Sequence, residues 1–296
     1  MTTAPTIFDR HLLHARQRRA RTLGPETFLI DRVAQEMVER VSVVLRRFER
    51  AADLETPADT VREALAASGK VESLARGLIR TEGGFEIIVD ENNAPFAGTS
   101  FDLIVSALAL QFVNDLPGAL IQIRRALKAD GLLLAAMIGG ESLNELREAF
   151  AQAESEVEGG LSPRALPFAD IRDLGSLMQR AGFALPVVDS DRVIVRYDSP
   201  IALMRDLRAM GATNILIERR RSPLRRATLR RMIEIYAERF ADGDGRLRAT
   251  FEIVWLSGWA PHESQPKPLR PGSATRRLAD ALGTKEIGAG EKPGEE

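Results

Sequence analysis

The chain has 296 residues, of which 44% are hydrophobic, and a sequence of this length and composition can bury a substantial core. Its 41 basic and 42 acidic residues give a formal net charge of −1, so the whole molecule has no charge bias toward nucleic acid or a membrane surface. It contains no cysteine, which excludes disulfides, thiolate catalysis and cysteine-ligated metal sites.

The sequence predicts neither a metal site nor a membrane span. His11 and His14 are three residues apart and could share a helix face, but no third ligand follows at useful spacing. No apolar run approaches the ~20 residues that cross a bilayer, and the basic N-terminus lacks the apolar region of a secretory signal. We expect a cytoplasmic protein. The Arg-rich stretch from His11 to Arg21 would also suit an organelle transit peptide, and in a eukaryote we expect the mitochondrial matrix.

The first predicted elements are helices. Apolar residues recur at helical spacing between residues 28 and 48 behind a basic helix, so residues 1–48 are predicted to form a helical cap. A short apolar run at 51–54 is the first predicted strand. Thr56, Pro57 and Asp59 then supply the N-cap, the first-turn proline and the acid of a helix start, which predicts a helix over 57–67. A weak strand follows at 71–74 and a clearer one at 85–90.

The clearest pattern lies between residues 101 and 140. It consists of an apolar strand at 101–106, an amphipathic helix at 116–127, a turn at 128–131 and a second apolar strand at 132–138. This alternation is a βαβ unit. It predicts an α/β fold, a doubly wound parallel sheet with helices on both faces.

The last third is predicted to carry an insertion and a tail. Helices are expected at 143–154 and 169–181, and a pair of strands at 187–197 and 250–255. Two helices, at 200–210 and 223–240, lie between those strands, so we expect a helical lid at about 200–240 within a domain spanning 49–261. Beyond Pro261 the composition turns to Pro, Gly, Lys and Glu, which predicts a flexible tail over 262–296.

These elements resemble a known family. The segment FDLIVSALALQFVNDLPGALIQIRRALKADGLLL resembles the fourth strand, fourth helix and fifth strand of class I S-adenosylmethionine (SAM)-dependent methyltransferases. IFDRHLLHARQRRA resembles the N-terminal helix of the group that contains the malonyl-carrier-protein methyltransferase of biotin synthesis and mitochondrial complex I assembly factor 5. MIGGESLNELREAF, GGLSPRALPFADIRDLGSLMQRAGF, LRAMGATN and HESQPKPLRPGSAT look closest to the assembly factor. The resemblance implies a Rossmann-like sheet of seven strands with a helical N-terminal cap and a lid.

The resemblance also implies a SAM site, and the sequence departs from it at the first loop. Family members have an acid at the end of the first strand and then a Gly-rich loop, which lets the cofactor approach the backbone. Asp53 matches the acid, but no glycine follows. Glu55 adds a negative charge, Pro57 removes a backbone N–H, and Thr56 is explained as a helix N-cap.

Later positions match the family better. Asp90 and Glu91 match the acidic residues near the adenine, and Ser106 to Leu110 match the loop at the methyl end of the cofactor. A polar turn and ordinary helix packing, respectively, would explain the same residues. The resemblance further places five residues near a substrate pocket, namely Phe8, Asp9, Arg10, Gln111 and Phe112. A staple onto the N-terminal helix would equally explain Phe8, and core packing would explain Phe112.

Three functional hypotheses follow from the resemblance. The first is a SAM-dependent methyltransferase-type protein, a transferase acting on a protein or carrier-bound substrate. The second is a complex I assembly factor that modifies an arginine in a hydroxylase-like reaction; hydroxylation needs an oxidant or redox cofactor, and the sequence shows no 2-His-1-carboxylate set. The third is a non-catalytic assembly chaperone that has lost SAM binding. Methyl transfer needs mainly positioning, so no catalytic residue is predicted.

One run of positive charge stands out near the predicted lid. Residues 218–231 contain seven arginines. Nucleic-acid binding is disfavoured because no aromatic residues are interleaved with them, and a solvated helix face is the commonest reason for such a run. A docking surface for an acidic protein partner, which could be a respiratory complex I subunit, fits the resemblance better.

Overall fold

The computed structural model describes residues 6–80, 86–89, 94–95, 99–164, 170–266, 280 and 283–284. Residues Met1–Pro261 form one compact unit and His262–Glu296 a second. The helices are α1 (Arg10–Leu23), α2 (Phe28–Ser42), α3 (Thr60–Ala67), α4 (Leu116–Ala126), α5 (Asn144–Glu158), α6 (Ile171–Arg180), α7 (Pro200–Ala209) and α8 (Arg226–Phe240). The strands are β1 (Phe48–Leu54), β2 (Val71–Arg80), β3 (Glu86–Val89), β4 (Ala94–Pro95), β5 (Phe101–Ala107), β6 (Leu127–Ile138), β7 (Ala184–Tyr197) and β8 (Leu247–Trp259).

The strands form one mixed sheet in the order β4-β3-β2-β1-β5-β6-β8-β7. Its centre, β2-β1-β5-β6, is parallel, as the βαβ pattern predicts. Both edges are antiparallel, with β3 and β4 on one side and β8 and β7 on the other. The predicted Rossmann-like α/β class is confirmed, but the described residues contain eight strands rather than seven, because β3 and β4 pair as a short ribbon.

Helices cover both faces of the sheet, so the fold is doubly wound. Adjacent residues of β1 show the division: Ala51 packs into a core with α2, α3, α5 and α8, whereas Ala52 packs into a core with α4 and α6. Alternation of side chains along a strand explains why neighbouring residues enter opposite cores. Helix α2, which the sequence placed in the cap, buries Val33, Met37 and Val41 completely in the first of these cores.

Three local predictions are wrong. The turn predicted at 128–131 is part of β6, which begins at Leu127 and pairs with β5 across an irregularity in register, where Asp130 has a positive φ of 60°. Helix α3 begins at Thr60, with Asp59 at its N-cap, and not at Pro57. Thr56 does not cap it, because its hydroxyl bonds to Asp53 and accepts a hydrogen bond from the Ala107 N–H. Strand β2 extends to Arg80 rather than ending at residue 74, since pairing with β1 and β3 holds residues 75–80 extended.

The helices α7 and α8 lie between β7 and β8, at the position predicted for the lid. They behave differently: α8 packs along α5, while α7 approaches α1. The predicted adenine-side residues Asp90 and Glu91 lie outside the described residues, and so does most of the predicted tail. No helix among the described residues has both the length and the apolar character that a bilayer crossing requires.

Candidate functional site

A cavity of about 1020 Å³ lies at the carboxyl ends of the parallel strands. Residues just beyond three strands line it: Thr56 after β1, Leu108 after β5 and Ser142 after β6. Strands β2 to β4 lie on one side of β1, and β5 and all later strands lie on its other side. The direction in which the chain adds strands to the sheet therefore reverses between β1 and β5. Doubly wound folds bind their ligands in the crevice at such a reversal, and the cavity is therefore the candidate site.

The other walls come from distant parts of the chain. Helix α1 contributes residues from His14 to Arg21, and α7 contributes residues from Met204 to Ala209. The N-terminal segment is anchored across the sheet: Phe8 bridges Leu216, and the Asn114 Oδ1 accepts from the N–H groups of Ile7 (2.8 Å) and Phe8 (2.7 Å). The anchor holds α1 over the strand ends.

The lining mixes apolar side chains with an excess of positive charge. Its apolar members include Leu29, Leu146, Phe150, Met204 and Phe251. The charged members among the described residues are six arginines and three acids: Arg18, Arg21, Arg76, Arg147, Arg164 and Arg208 against Glu26, Glu55 and Asp59. The cavity is therefore electropositive, in a molecule whose overall charge is close to zero.

Glu55 occupies the first position after β1, with its backbone in the left-handed region (φ 55°). Its Oε1 accepts from the Ile79 N–H at 2.9 Å and forms an ion pair with Arg10 of α1. The two side chains are 10% and 11% exposed, so the pair is largely removed from solvent. Glu55 thus joins the ends of β1 and β2 to the first residue of α1.

Asp53 and Thr56 form a second polar contact beneath the cavity. The Thr56 hydroxyl donates to the Asp53 carboxylate and accepts from the Ala107 N–H at 3.1 Å. Burial raises the pKa of Asp53 to about 6, although the Thr56 hydrogen bond and the nearby Arg62 favour its ionised form. The Ser106 hydroxyl donates to the Leu54 carbonyl at 2.8 Å. These contacts join β1 to β5 at the edge of the sheet that faces the cavity.

The residues predicted to bind cofactor or substrate divide into three groups. Glu55, Thr56, Gln111 and Phe112 line the cavity, and Arg10 reaches it through Glu55. Asp53, Ser106 and Leu110 are buried in the core behind it. The third group, Phe8 and Asp9, builds the anchor of α1: Asp9 caps the helix at the Leu12 N–H (2.9 Å), and Phe8 packs with Leu13 as a hydrophobic staple.

Several lining residues escaped the sequence analysis. His14, which the sequence analysis assigned to no site, faces the cavity one helical turn after Arg10, and burial lowers its pKa. That spacing was a usable signal, since residues i and i+4 share a helix face. Glu26, Arg76 and Arg147 carried no such signal, because only the tertiary fold brings them to the cavity.

The sheet order and the cavity at its switch point define the class, a class I methyltransferase fold. Residues 38–135 match the family described as a methyltransferase domain. Solved structures also resemble the chain, for example a putative methyltransferase from Bacillus halodurans C-125, with a TM-score of 0.47 and 13% identity over 77% of this chain and 98% of that one. That likeness is too weak to bear on function.

The most informative relatives are curated proteins named arginine-hydroxylase NDUFAF5, mitochondrial. The zebrafish protein, from Danio rerio, is 37% identical over 287 residues, which cover 93% of this chain and 89% of that protein. The Homo sapiens protein is 38% identical, over 91% of this chain and 81% of that protein. A malonyl-[acyl-carrier protein] O-methyltransferase from Laribacter hongkongensis (strain HLHK9) is 38% identical over 64% of this chain and 60% of that protein. The chain belongs to the NDUFAF5 family and has its methyltransferase fold.

Proposed function

We propose that the protein assists assembly of respiratory complex I by binding a side chain of a protein partner in the cavity. The cavity is the observation that carries this proposal, because about 1020 Å³ at the carboxyl ends of the strands is large enough to receive a side chain of another protein. Its walls are largely apolar, as a site that removes a side chain from water requires. The similarity to NDUFAF5 proteins over 93% of the chain supports the choice of a protein substrate. Because those relatives are named mitochondrial, we place the protein in the matrix of a eukaryote or the cytoplasm of a bacterium.

The positive lining suggests which partner surface would approach. Arg18 and Arg208 line the cavity, and neither has an ion-pair partner among the residues that the structure describes. Unpaired arginines at a cavity attract acidic groups and speed the encounter with an acidic surface. We therefore propose an acidic protein segment as the partner.

Because the relatives are named arginine-hydroxylase, we propose that the side chain that enters the cavity is an arginine. Glu26 supports this version of the proposal: it lines the cavity, is half-buried, and has no basic partner in the described part of the chain. A guanidinium group forms its strongest hydrogen bonds with such a carboxylate. Hydroxylation of the arginine would need an oxidant, and no step of that reaction is proposed.

SAM-dependent methyl transfer is the second candidate function. The methyltransferase domain match over residues 38–135 and the carrier-protein methyltransferase relatives favour it. The loop after β1 disfavours it, because Glu55, Thr56 and Pro57 stand where the family has glycines, and the side chains of Glu55 and Thr56 are already hydrogen-bonded within the protein. These residues do not fit the usual anchoring of SAM, so no reaction step is built on the cofactor.

The proposed function is tested by filling the cavity. In a strain that lacks the gene, the variant Leu146→Trp should fail to restore assembled complex I and its NADH oxidation, because the larger ring occupies the site. The control is Leu161→Trp, which changes a side chain that is 71% exposed and should restore both. The melting temperatures of the two purified variants show that each is folded. Full restoration by a folded Leu146→Trp variant would contradict the proposal.

A further inference from the structure

We propose that Glu55 is an internal ligand: its carboxylate fills a carboxylate-binding cradle formed by Arg10 and the Ile79 N–H, and thereby closes the loop end of the cavity to SAM. This inference is independent of the proposed partner. It concerns only the part of the site that the family's cofactor loop would occupy.

The cradle consists of two donors that converge on one oxygen. The Ile79 N–H and the Arg10 Nη2 both donate to Glu55 Oε1, and Arg10 Nη2 also lies 3.4 Å from the Ile79 carbonyl. Arg10 Nη1 is buried and has no hydrogen-bond partner among the described residues. An anion with freely placed oxygens could satisfy that nitrogen, whereas the tether of Glu55 to the backbone prevents it.

The backbone at Glu55 also indicates a replaced glycine. A residue with a Cβ is strained in the left-handed region, where glycine is not, so glycine is the natural occupant of this position. The hydrogen bonds of the Glu55 carboxylate offset that strain. The sequence has therefore exchanged the residue that would let a cofactor approach the backbone for one that projects a carboxylate.

SAM would compete with Glu55 for the same charge. Its methionine end carries a carboxylate of its own, and two carboxylates at one guanidinium repel each other. The neighbouring groups offer little in compensation: Pro57 has no N–H, and the Ala107 N–H already donates to Thr56. A cofactor could enter only if Glu55 left the cradle.

The inference is tested by removing the carboxylate. Glu55→Gly should fold, because it relieves the left-handed strain, and it should leave Arg10 available to an added anion. Glu55→Ala removes the carboxylate but keeps a Cβ, so an effect that it shares with Glu55→Gly comes from the lost carboxylate and not from the backbone freedom of glycine. Glu218→Gly removes an exposed carboxylate and serves as the matched control. Binding of SAM and of its demethylated product is measured by isothermal titration calorimetry.

Wild-type protein and Glu218→Gly should show no heat of binding with millimolar SAM, whereas Glu55→Gly and Glu55→Ala should bind it at least about tenfold more tightly. Sodium acetate should raise the melting temperature of Glu55→Gly, but not that of the wild type or of Glu55→Gly combined with Arg10→Ala. Micromolar binding of SAM by the wild type would overturn the inference. So would the absence of both SAM binding and acetate stabilisation in the folded Glu55 variants.

Discussion

Asp53 shows how a single buried carboxyl links the sequence to the stability of the fold. It is 1% exposed at the end of β1, and burial is the largest cause of its raised pKa of about 6. In the unfolded chain the same group has its ordinary pKa of 3.8. The native state therefore binds more protons than the unfolded state between these two values, and the contribution of Asp53 to stability falls as the pH rises.

This difference predicts a pH-dependent effect of Asp53→Asn. The amide keeps an acceptor for the Thr56 hydroxyl and never ionises, so it avoids the cost of a buried charge. Relative to the wild type, the variant should gain about 2 kcal/mol in free energy of unfolding between about pH 4 and about pH 7. Urea denaturation at several pH values measures the difference. A difference that does not change with pH would show that Asp53 titrates alike in both states.

For single residues, the sequence showed which positions deviate from the family pattern, but it did not predict which residues their side chains contact. The missing glycines and the charge of Glu55 were visible in the sequence. Its partner Arg10 was placed near a substrate pocket by resemblance, and its contact with Glu55 was not predicted, because the two residues are 45 positions apart and no local rule relates them. Thr56 was assigned to its nearest helix for the same reason, whereas its hydroxyl is bonded to Asp53 and to Ala107 of β5.

Among the secondary-structure elements, strong periodic patterns were predicted well and weak ones were not. Strand β5 and helix α4 lie within one residue of their predicted ends, since continuous apolar residues and a 3.6-residue period are local signals. Strand β2 was predicted too short, because residues 75–77 read Ala-Arg-Gly and form a strand through their pairing with β1 and, at Gly77, with β3. Tertiary pairing overrides strand propensity in this way.

Six of the seven arginines on and before α8 divide into two sets, and the seventh, Arg219, pairs with Asp9 at 3.4 Å. Arg220, Arg225 and Arg231 pair with glutamates at the end of α5, Glu156 and Glu158, and so fasten α8 to α5. Arg221, Arg226 and Arg230 are exposed and have no ion-pair partner in the described ranges. The prediction of a docking surface for an acidic partner therefore applies to the second set only.

Replacing each set of arginines by glutamine should change a different property of the protein. Changing Arg220, Arg225 and Arg231 together should lower the melting temperature, and the loss should shrink in high salt because the pairs are partly screened. Changing Arg221, Arg226 and Arg230 together should leave the melting temperature unchanged and weaken capture of an acidic partner protein. Thermal melts and a binding assay on both triple variants provide the measurements. Equal melting temperatures for the two variants would contradict the division.

Considered as a whole, the molecule is a methyltransferase fold whose cavity is assembled from parts that the sequence keeps far apart. The fold class was predictable because a βαβ repeat admits few arrangements. The cavity was not, since its walls combine α1, the loop after β1, α5 and α7, and its charge comes from arginines on several of these elements. Because Glu55 and Arg10 close the cofactor end, the remaining volume of the cavity is available to a side chain of another protein.

Cross-linking from inside the cavity tests directly whether the cavity receives a segment of a partner protein. A photoreactive p-benzoylphenylalanine at Met204, which lines the cavity, should form a covalent link to one segment of a complex I subunit in living cells. The same group at Leu161, which is 71% exposed, should not form that link. Mass spectrometry of the linked peptides identifies the segment. A single acidic or arginine-bearing segment linked only from Met204 is the result we expect; no link to a complex I subunit from Met204, or equal links from both positions, would show that the cavity does not receive a partner.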